Sequence, residues 1–329
     1  MTHATITHQA EPCNCEPAQV AGDDITPLEQ VFLRNNHPAP ALDRDAWQLR
    51  LDGLVARTLT LDYGALRRYA LRHVASVLEC AGNHRAAFAA AGQPADGVPW
   101  RGGAVANIVW SGVAIADLFD DAGVATTALQ AECHSGADFA RGVEVAALRE
   151  QGLLALYANG VPLPARLGGP ARLVVPGWYA INAVKWLSRM TLIDHESTSP
   201  YNQQSYVLYD DAGMPYGKVR ELQVKSLITS QHHRAGWQDI RGVAWSDGSP
   251  IRRVAVAIDD GPWRDAQLHA PTGRYAWRGW SLRVVIGPGH HRLRCRATDG
   301  AGRTQPERAR SNLRGYLMNA CVSYDIDLR

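Results

Sequence analysis

The stretch SLRVVIGPGHHRLRCRATDG, residues 281–300, alternates apolar and polar side chains on both sides of a Gly-Pro-Gly turn. In HRLRCRATD (291–299), Leu293, Cys295 and Ala297 share one face while Arg292, Arg294 and Arg296 share the other. Period-two alternation is the mark of a strand buried on one side. Upstream, VAVAI (254–258) alternates in the same way and runs into Asp259-Asp260-Gly261, a hairpin signal. Downstream, DGAG (299–302) turns the chain toward a final strand around 316–326. Short strands separated by turns at this spacing predict an immunoglobulin-like β-sandwich over 236–329.

N-terminal to Gly236 the pattern mixes strands with helices. WQLRLDG (47–53) alternates Trp47, Leu49 and Leu51 inward, and VASVLECAGN (74–83) is a strand running into a Gly-Asn turn. RLVVPG (172–177) is a buried strand stopped by Pro176-Gly177, and VKWLSRMTLI (184–193) is another extended run. LTLDYGALRRY (59–69) reads as a helix opened near Thr60 or Asp62, and VAIADLFDDAGV (113–124) as a helix closed by Gly123. The expected fold class is therefore α+β over 25–235, followed by the sandwich. Within it, 197–235 is the connecting segment and 1–24 a flexible tail. A length of 329 residues, about twice that of a common single domain, suits two domains.

Composition excludes several classes. With 46% hydrophobic and 20% charged residues and a net charge of +2, the chain is neither disordered nor a polyanion binder driven by bulk charge. No nucleic acid is expected as a partner. No apolar run is long enough to span a membrane, and the first basic residue is Arg34, so neither a membrane nor an export signal is expected and a cytoplasmic protein is the simplest expectation. Of 34 basic residues only three are Lys, at 185, 218 and 225. A single Arg is therefore weak evidence of function here, and a single Lys is stronger.

Six Cys form no CxxC, no haem-attachment and no zinc spacing. Cys133, Cys295 and Cys321 read as buried thiols. Cys13 and Cys15 sit in a polar, Pro-containing segment and read as carrying no role, the alternative being a thiol or copper function. His232-His233 and His290-His291 read as solvated. Cys80 differs from all of these. ECAGNHR (79–85) places a thiol at a strand end before a Gly turn, with Arg85 five residues on. Nearby positive charge or a metal is what stabilises a thiolate near neutral pH.

At this point the sequence resembles the sulfite oxidase family of molybdopterin enzymes, over 32–329. The resemblance is carried by LECAGNHR (78–85), PWRGGAVANIVWSGV (99–113), NGVPLPARLGGPARLVVPG (159–177), VKWL (184–187) and NLRGYLMNA (312–320). It implies a molybdopterin-binding catalytic domain followed by an immunoglobulin-like dimerisation domain, hence a homodimer. It implies the molybdenum cofactor, with Cys80 as the sole protein ligand to the metal. It further implies a pocket for sulfite or a similar small oxyanion built from Arg34, Arg85 and Arg314 with Trp100 and Tyr206. Forked, permanently charged guanidinium groups suit such a pocket. Asn35, Asn36, His37, Asp138, Arg172 and Lys185 match positions that hold the pterin. Three departures stand out: Asn36-His37 where the family reads a single His after Asn35, Leu167 for a His, and Asn182 for an Arg. The implied reaction is sulfite to sulfate with electrons passed to an external acceptor, a cytochrome or other carrier. No haem is expected in this chain. The rivals are reduction of nitrate or a sulfoxide on the same scaffold, and a non-catalytic binding protein using the sandwich.

Overall fold

The computed structural model describes residues 4–93, 95–136, 138–210, 212–230, 232–310 and 312–329. The N-terminal unit is built on two five-stranded sheets. In one, Leu71–Glu79 pairs with Val105–Ala114, which pairs with Leu153–Ala158, which carries Val161–Pro162 and Arg172–Val174. In the other the order is Leu59–Asp62, Gln48–Gly53, Leu187–Ile193, Gln130–Ser135, Ala140–Glu144, and only Gln48–Gly53 beside Leu187–Ile193 is parallel. Leu49, Leu51, Leu61, Val113, Leu154, Leu173 and Met190 fill the space between them. Burying each such side chain contributes about 1.5–3 kcal/mol.

Helix Ile115–Ala122 packs Leu118 and Phe119 into that core and stops at Gly123, whose φ of 65° is the left-handed cap expected of glycine. The helix expected over 59–69 is instead the strand Leu59–Asp62 followed by the 3₁₀ turn Ala65–Arg68. Leu59 and Leu61 are buried while Thr60 and Asp62 are exposed, a period of two that the leucine content disguised. The Asp62 carboxylate then accepts a bond from the Ala65 amide and starts the turn.

The C-terminal unit is a sandwich of two four-stranded sheets. One has the order Lys225–Ile228, Gly236–Trp245, Arg278–Ile286, Gln267–Leu268; the other Arg264–Asp265, Ile251–Ile258, Gly289–Asp299, Ser323–Leu328. Leu293, Cys295 and Ala297 all face its core, as their alternation predicts. Two boundaries differ from expectation. The first strand begins at Lys225, within the segment read as a connection, and the last begins at Ser323 rather than near 316. His232 is buried and bonded to Ser230 and Gln238, not solvated.

Residues 1–24 are not a flexible tail where the structure describes them. Thr5–Gln9 and Asn14–Pro17 form a hairpin whose second strand pairs with Leu33–Arg34. Its polar side chains are what anchor it. Glu16, 1% exposed, accepts bonds from the amides of Arg101, Gly102 and Gly103. A carboxylate so served by backbone donors has replaced its water shell. Gly103 leaves room for this, since a Cβ there would lie 2.2 Å from the Pro17 carbonyl. The Trp277 indole donates to the Asp23 carbonyl, and Gln19 donates to that of Thr229. The opening segment thus touches both units.

Candidate active site

Strand Leu71–Glu79 ends at Cys80, and the turn that follows is held from both sides. The Cys80 amide donates to Ala104, the Asn83 amide returns to the Cys80 carbonyl, and the Asn83 side chain bonds Glu79 and the Ala104 amide. A Cβ at Gly82 would meet the Arg85 guanidinium at 2.5 Å, so a side chain there would push that guanidinium aside. Behind the turn, Glu79 accepts from Lys225 at 2.9 Å and from the Trp245 indole at 2.9 Å. Both charged groups are 1% exposed, which ties the thiol-bearing strand to the first strands of the sandwich.

Cys80 opens onto a cleft that is also lined by Arg34, Asn35, Asn36, His37, Arg172, Lys185 and Tyr206. Eight of the twelve residues singled out from sequence therefore meet here. Among the described residues no Asp or Glu lines the cleft. The Arg34 guanidinium reaches only neutral acceptors: Asn14 Oδ1 at 3.3 Å, Asn36 Oδ1 at 2.7 Å and the Asn35 carbonyl. Lys185 Nζ lies 2.7 Å from Asn35 Oδ1 and 3.3 Å from the Arg34 carbonyl. Arg172 donates to the carbonyls of Leu167 and Ala183, and its buried Nε has no partner. Three cations thus face one space with nothing to neutralise them.

The electrostatics follow from that geometry. Burial, with Arg172 and Arg34 nearby, lowers Lys185 to about 7. Burial likewise lowers Arg172 to about 9. Burial pushes the Cys80 thiol up, against the pull of Arg34, the Gly82 amide and Arg85. An anion entering the cleft would reverse the penalty on the cations. The backbone is strained at the same place. Trp186 and Tyr206, both lining the cleft, have φ of 50° and 59°, and His84 beside Cys80 has 65°. Such conformations cost of order 1–3 kcal/mol each in non-glycine residues and gather at functional sites.

The remaining four residues lie elsewhere. Trp100 is fully buried, edge-on to Phe32 and His8, in the cluster that also contains Cys80. Arg85 is buried, its Nε donating to the Arg314 carbonyl and its Nη1 to that of Val98, with its charge over the Tyr316 ring. The Arg314 side chain is exposed outside the cleft, and so is Asp138. Among the positions that departed from the family pattern, Leu167 lines the cleft. Asn182 does not; it is buried and accepts from Arg141 Nε at 3.0 Å. Sequence reasoning missed Glu16, Asn14 and the Glu79–Lys225 pair. The rarity of Lys was the one signal that could have marked Lys225.

Can these residues hold a cofactor? A free thiol at the end of a rigid strand is a soft metal ligand. Three unneutralised cations, one with an orphaned buried donor, fit a group that bears phosphate. The donor set and the charge of the cleft therefore fit a metal carried by an anionic organic cofactor. Among the described residues no three His, Cys, Asp or Glu side chains come together as a metal set, so a metal here would take its further ligands from the cofactor.

Comparison with known proteins bears on the same residues. Residues 36–201 match the oxidoreductase molybdopterin binding domain, and 218–328 match the Mo-co oxidoreductase dimerisation domain. The chain is 33% identical to the sulfite oxidase of Gallus gallus, over 94% of this chain and 75% of that one. It is 32% identical to the mitochondrial sulfite oxidase of Homo sapiens, over 96% of this chain but only 64% of that protein. Among solved structures, the sulfane dehydrogenase SoxCD of Paracoccus pantotrophus superposes with a TM-score of 0.88 at 26% identity, covering 97% of this chain and 86% of that one.

Proposed function

Because the chain belongs to the sulfite oxidase family of molybdopterin oxidoreductases, we propose that it oxidises sulfite to sulfate and passes the electrons to an external acceptor. The observation that carries the reading is the cleft itself: a thiol, three cations and a phenol facing one another with no carboxylate among them. When bound, the molybdenum cofactor supplies the oxygen atom that is transferred and accepts two electrons. The protein supplies the rest.

Cys80 holds the metal from the end of its strand. Lys185 and Arg172, with Asn35, Asn36 and His37, hold the pterin and its phosphate. Asp138, outside the cleft, takes no part. Arg34 receives the oxyanion and orients it, its fork already aimed by Asn14 and Asn36. Tyr206, which lines the cleft, would offer its phenolic hydrogen to the bound oxyanion. Its phenol is pushed up by burial and so keeps its proton throughout the working range. Arg85 acts through what it holds, the Arg314 segment, and lends positive charge to the Cys80 side. Trp100 supports the wall from within the core.

The sandwich carries the dimer contact, and the protein works as a homodimer in the cytoplasm. Light scattering tests the first statement and cell fractionation the second. The reaction is tested by steady-state assays with sulfite and ferricyanide, set against nitrate or a sulfoxide with reduced viologen. Turnover of sulfite with none of nitrate or sulfoxide is the expected result; no turnover of sulfite by molybdenum-loaded protein overturns the proposal.

A further inference from the structure

Cys13 closes the turn of the N-terminal hairpin, and Cys15 is the second residue of the strand Asn14–Pro17 that follows it. Their sulfurs are 3.9 Å apart, and both side chains are half-buried rather than sealed. Cations sit close by. Burial and the neighbouring Cys13 push the Cys15 thiol up on balance, against the weaker pull of the Leu33 backbone and Arg166, and Lys185 feels both sulfurs. Between the two cysteines stands Asn14, 1% exposed, whose Oδ1 accepts from Arg34 Nη1 and from the Asn35 amide. Asn14 also pairs with Arg34 and Cys15 with Leu33 across the sheet. The pairing of the hairpin is irregular at this very point, between Thr7 and Gln9.

We propose that Cys13 and Cys15 form a dithiol–disulfide site in the N-terminal hairpin behind Arg34, closed by exchange with a low-molecular-weight disulfide of the glutathione class and read through Asn14 at Arg34. One cysteine thiolate attacks the small disulfide, forming a mixed disulfide and releasing one small thiolate, which takes up the proton the cysteine lost. The second cysteine attacks the protein-side sulfur of the mixed disulfide, and a second small thiol leaves. Two cysteine thiols lose two electrons and two protons; the small disulfide gains both. A disulfide needs its sulfurs about 2 Å closer than they stand here. The irregular hairpin is where the backbone can give, and Asn14 is the residue that moves with it.

The full chain, equilibrated in mixtures of reduced and oxidised glutathione and then alkylated, is read by peptide mass spectrometry. The expected result is a Cys13–Cys15 cross-link with Cys80, Cys133 and Cys295 still alkylated after unfolding. Cys15→Ser should instead trap glutathione on Cys13. Cys13 and Cys15 alkylated at every ratio would overturn the site. The second arm measures binding of inorganic sulfate by calorimetry and rests on the oxyanion reading of Arg34. A several-fold change in affinity between reduced and oxidised protein, absent from the Cys13→Ser/Cys15→Ser double variant, is expected. A cross-link that forms with no change in affinity overturns the link to Arg34. If sulfate binds neither form, the oxyanion reading and the link that rests on it both fall, while the cross-link result still decides the thiol chemistry.

Discussion

Glu79 and Lys225 form an ion pair 2.9 Å long with both partners 1% exposed, joining the strand that ends at Cys80 to the first strand of the sandwich. The Glu79 carboxylate also takes bonds from Asn83 and Trp245, so its lone pairs are served from both units. Removing one partner of such a pair leaves a charge in the dark, at a cost of about 3–5 kcal/mol. Lys225→Met and Glu79→Ala should each lower stability by that amount in urea unfolding. Glu79→Gln, which keeps the shape, should cost less. A loss below about 1 kcal/mol in Lys225→Met would mean that the pair does not hold the units together.

Cys80→Ser removes the soft ligand and leaves the turn's backbone bonds in place. Purified from cells that make the cofactor, this variant should lose molybdenum, from about one atom per chain to near none. Its circular dichroism should stay that of the parent. Full metal content by mass spectrometry would remove Cys80 from the ligand role.

Arg34 and Arg314 separate what the cleft shows from what the family pattern implies. Arg34 lines it and Arg314 stands outside. Arg34→Ala should raise KM for sulfite by about 10–100-fold, the worth of a charge-assisted bond. Arg34→Lys, which keeps charge but loses the fork, should fall between. Arg314→Ala should have the smaller effect. An equal or larger one would show that its side chain swings inward when the anion binds.

Lys185 links stability to pH. Its folded value is about 7 against an ordinary 10.5, so between the two the unfolded chain holds a proton that the folded chain has released. Stability of the cofactor-free protein should therefore rise with pH above 7. Above 9 the raised values of Cys80 and Cys133 work in the opposite direction, which limits the clean window to pH 7–9. Lys185→Met should flatten the slope there. Phosphate-bearing anions should bind with proton uptake at pH 8, measurable as a buffer-dependent heat.

The sandwich was legible because each strand buries one face and so writes its period into the residues. The strand at 59–62 was misread because four residues are too few to separate a period of two from a helical one. At the site, Cys80, Arg34, Tyr206 and Lys185 could be found from their motifs, and the structure places all four around one cleft. The exposed position of Arg314 could not be found, since a motif records residue type and not where a long side chain points. Glu16 and Asn14 were hidden for a different reason. A buried polar residue that bonds backbone amides looks, in sequence, like any residue of a solvated tail.

The strap formed by residues 14–26 has a consequence for how the chain is made. It leaves the ribosome well before its partners, which lie at Gly103, Thr229 and Trp277. At about 5–20 residues per second, the Glu16 carboxylate waits several seconds for the amides it will serve, and Asp23 waits longer still for Trp277. A segment made before either unit is thus satisfied only after both are made. Chaperones that guard a nascent chain would meet this stretch open, and completion of the sandwich is the event that fastens it.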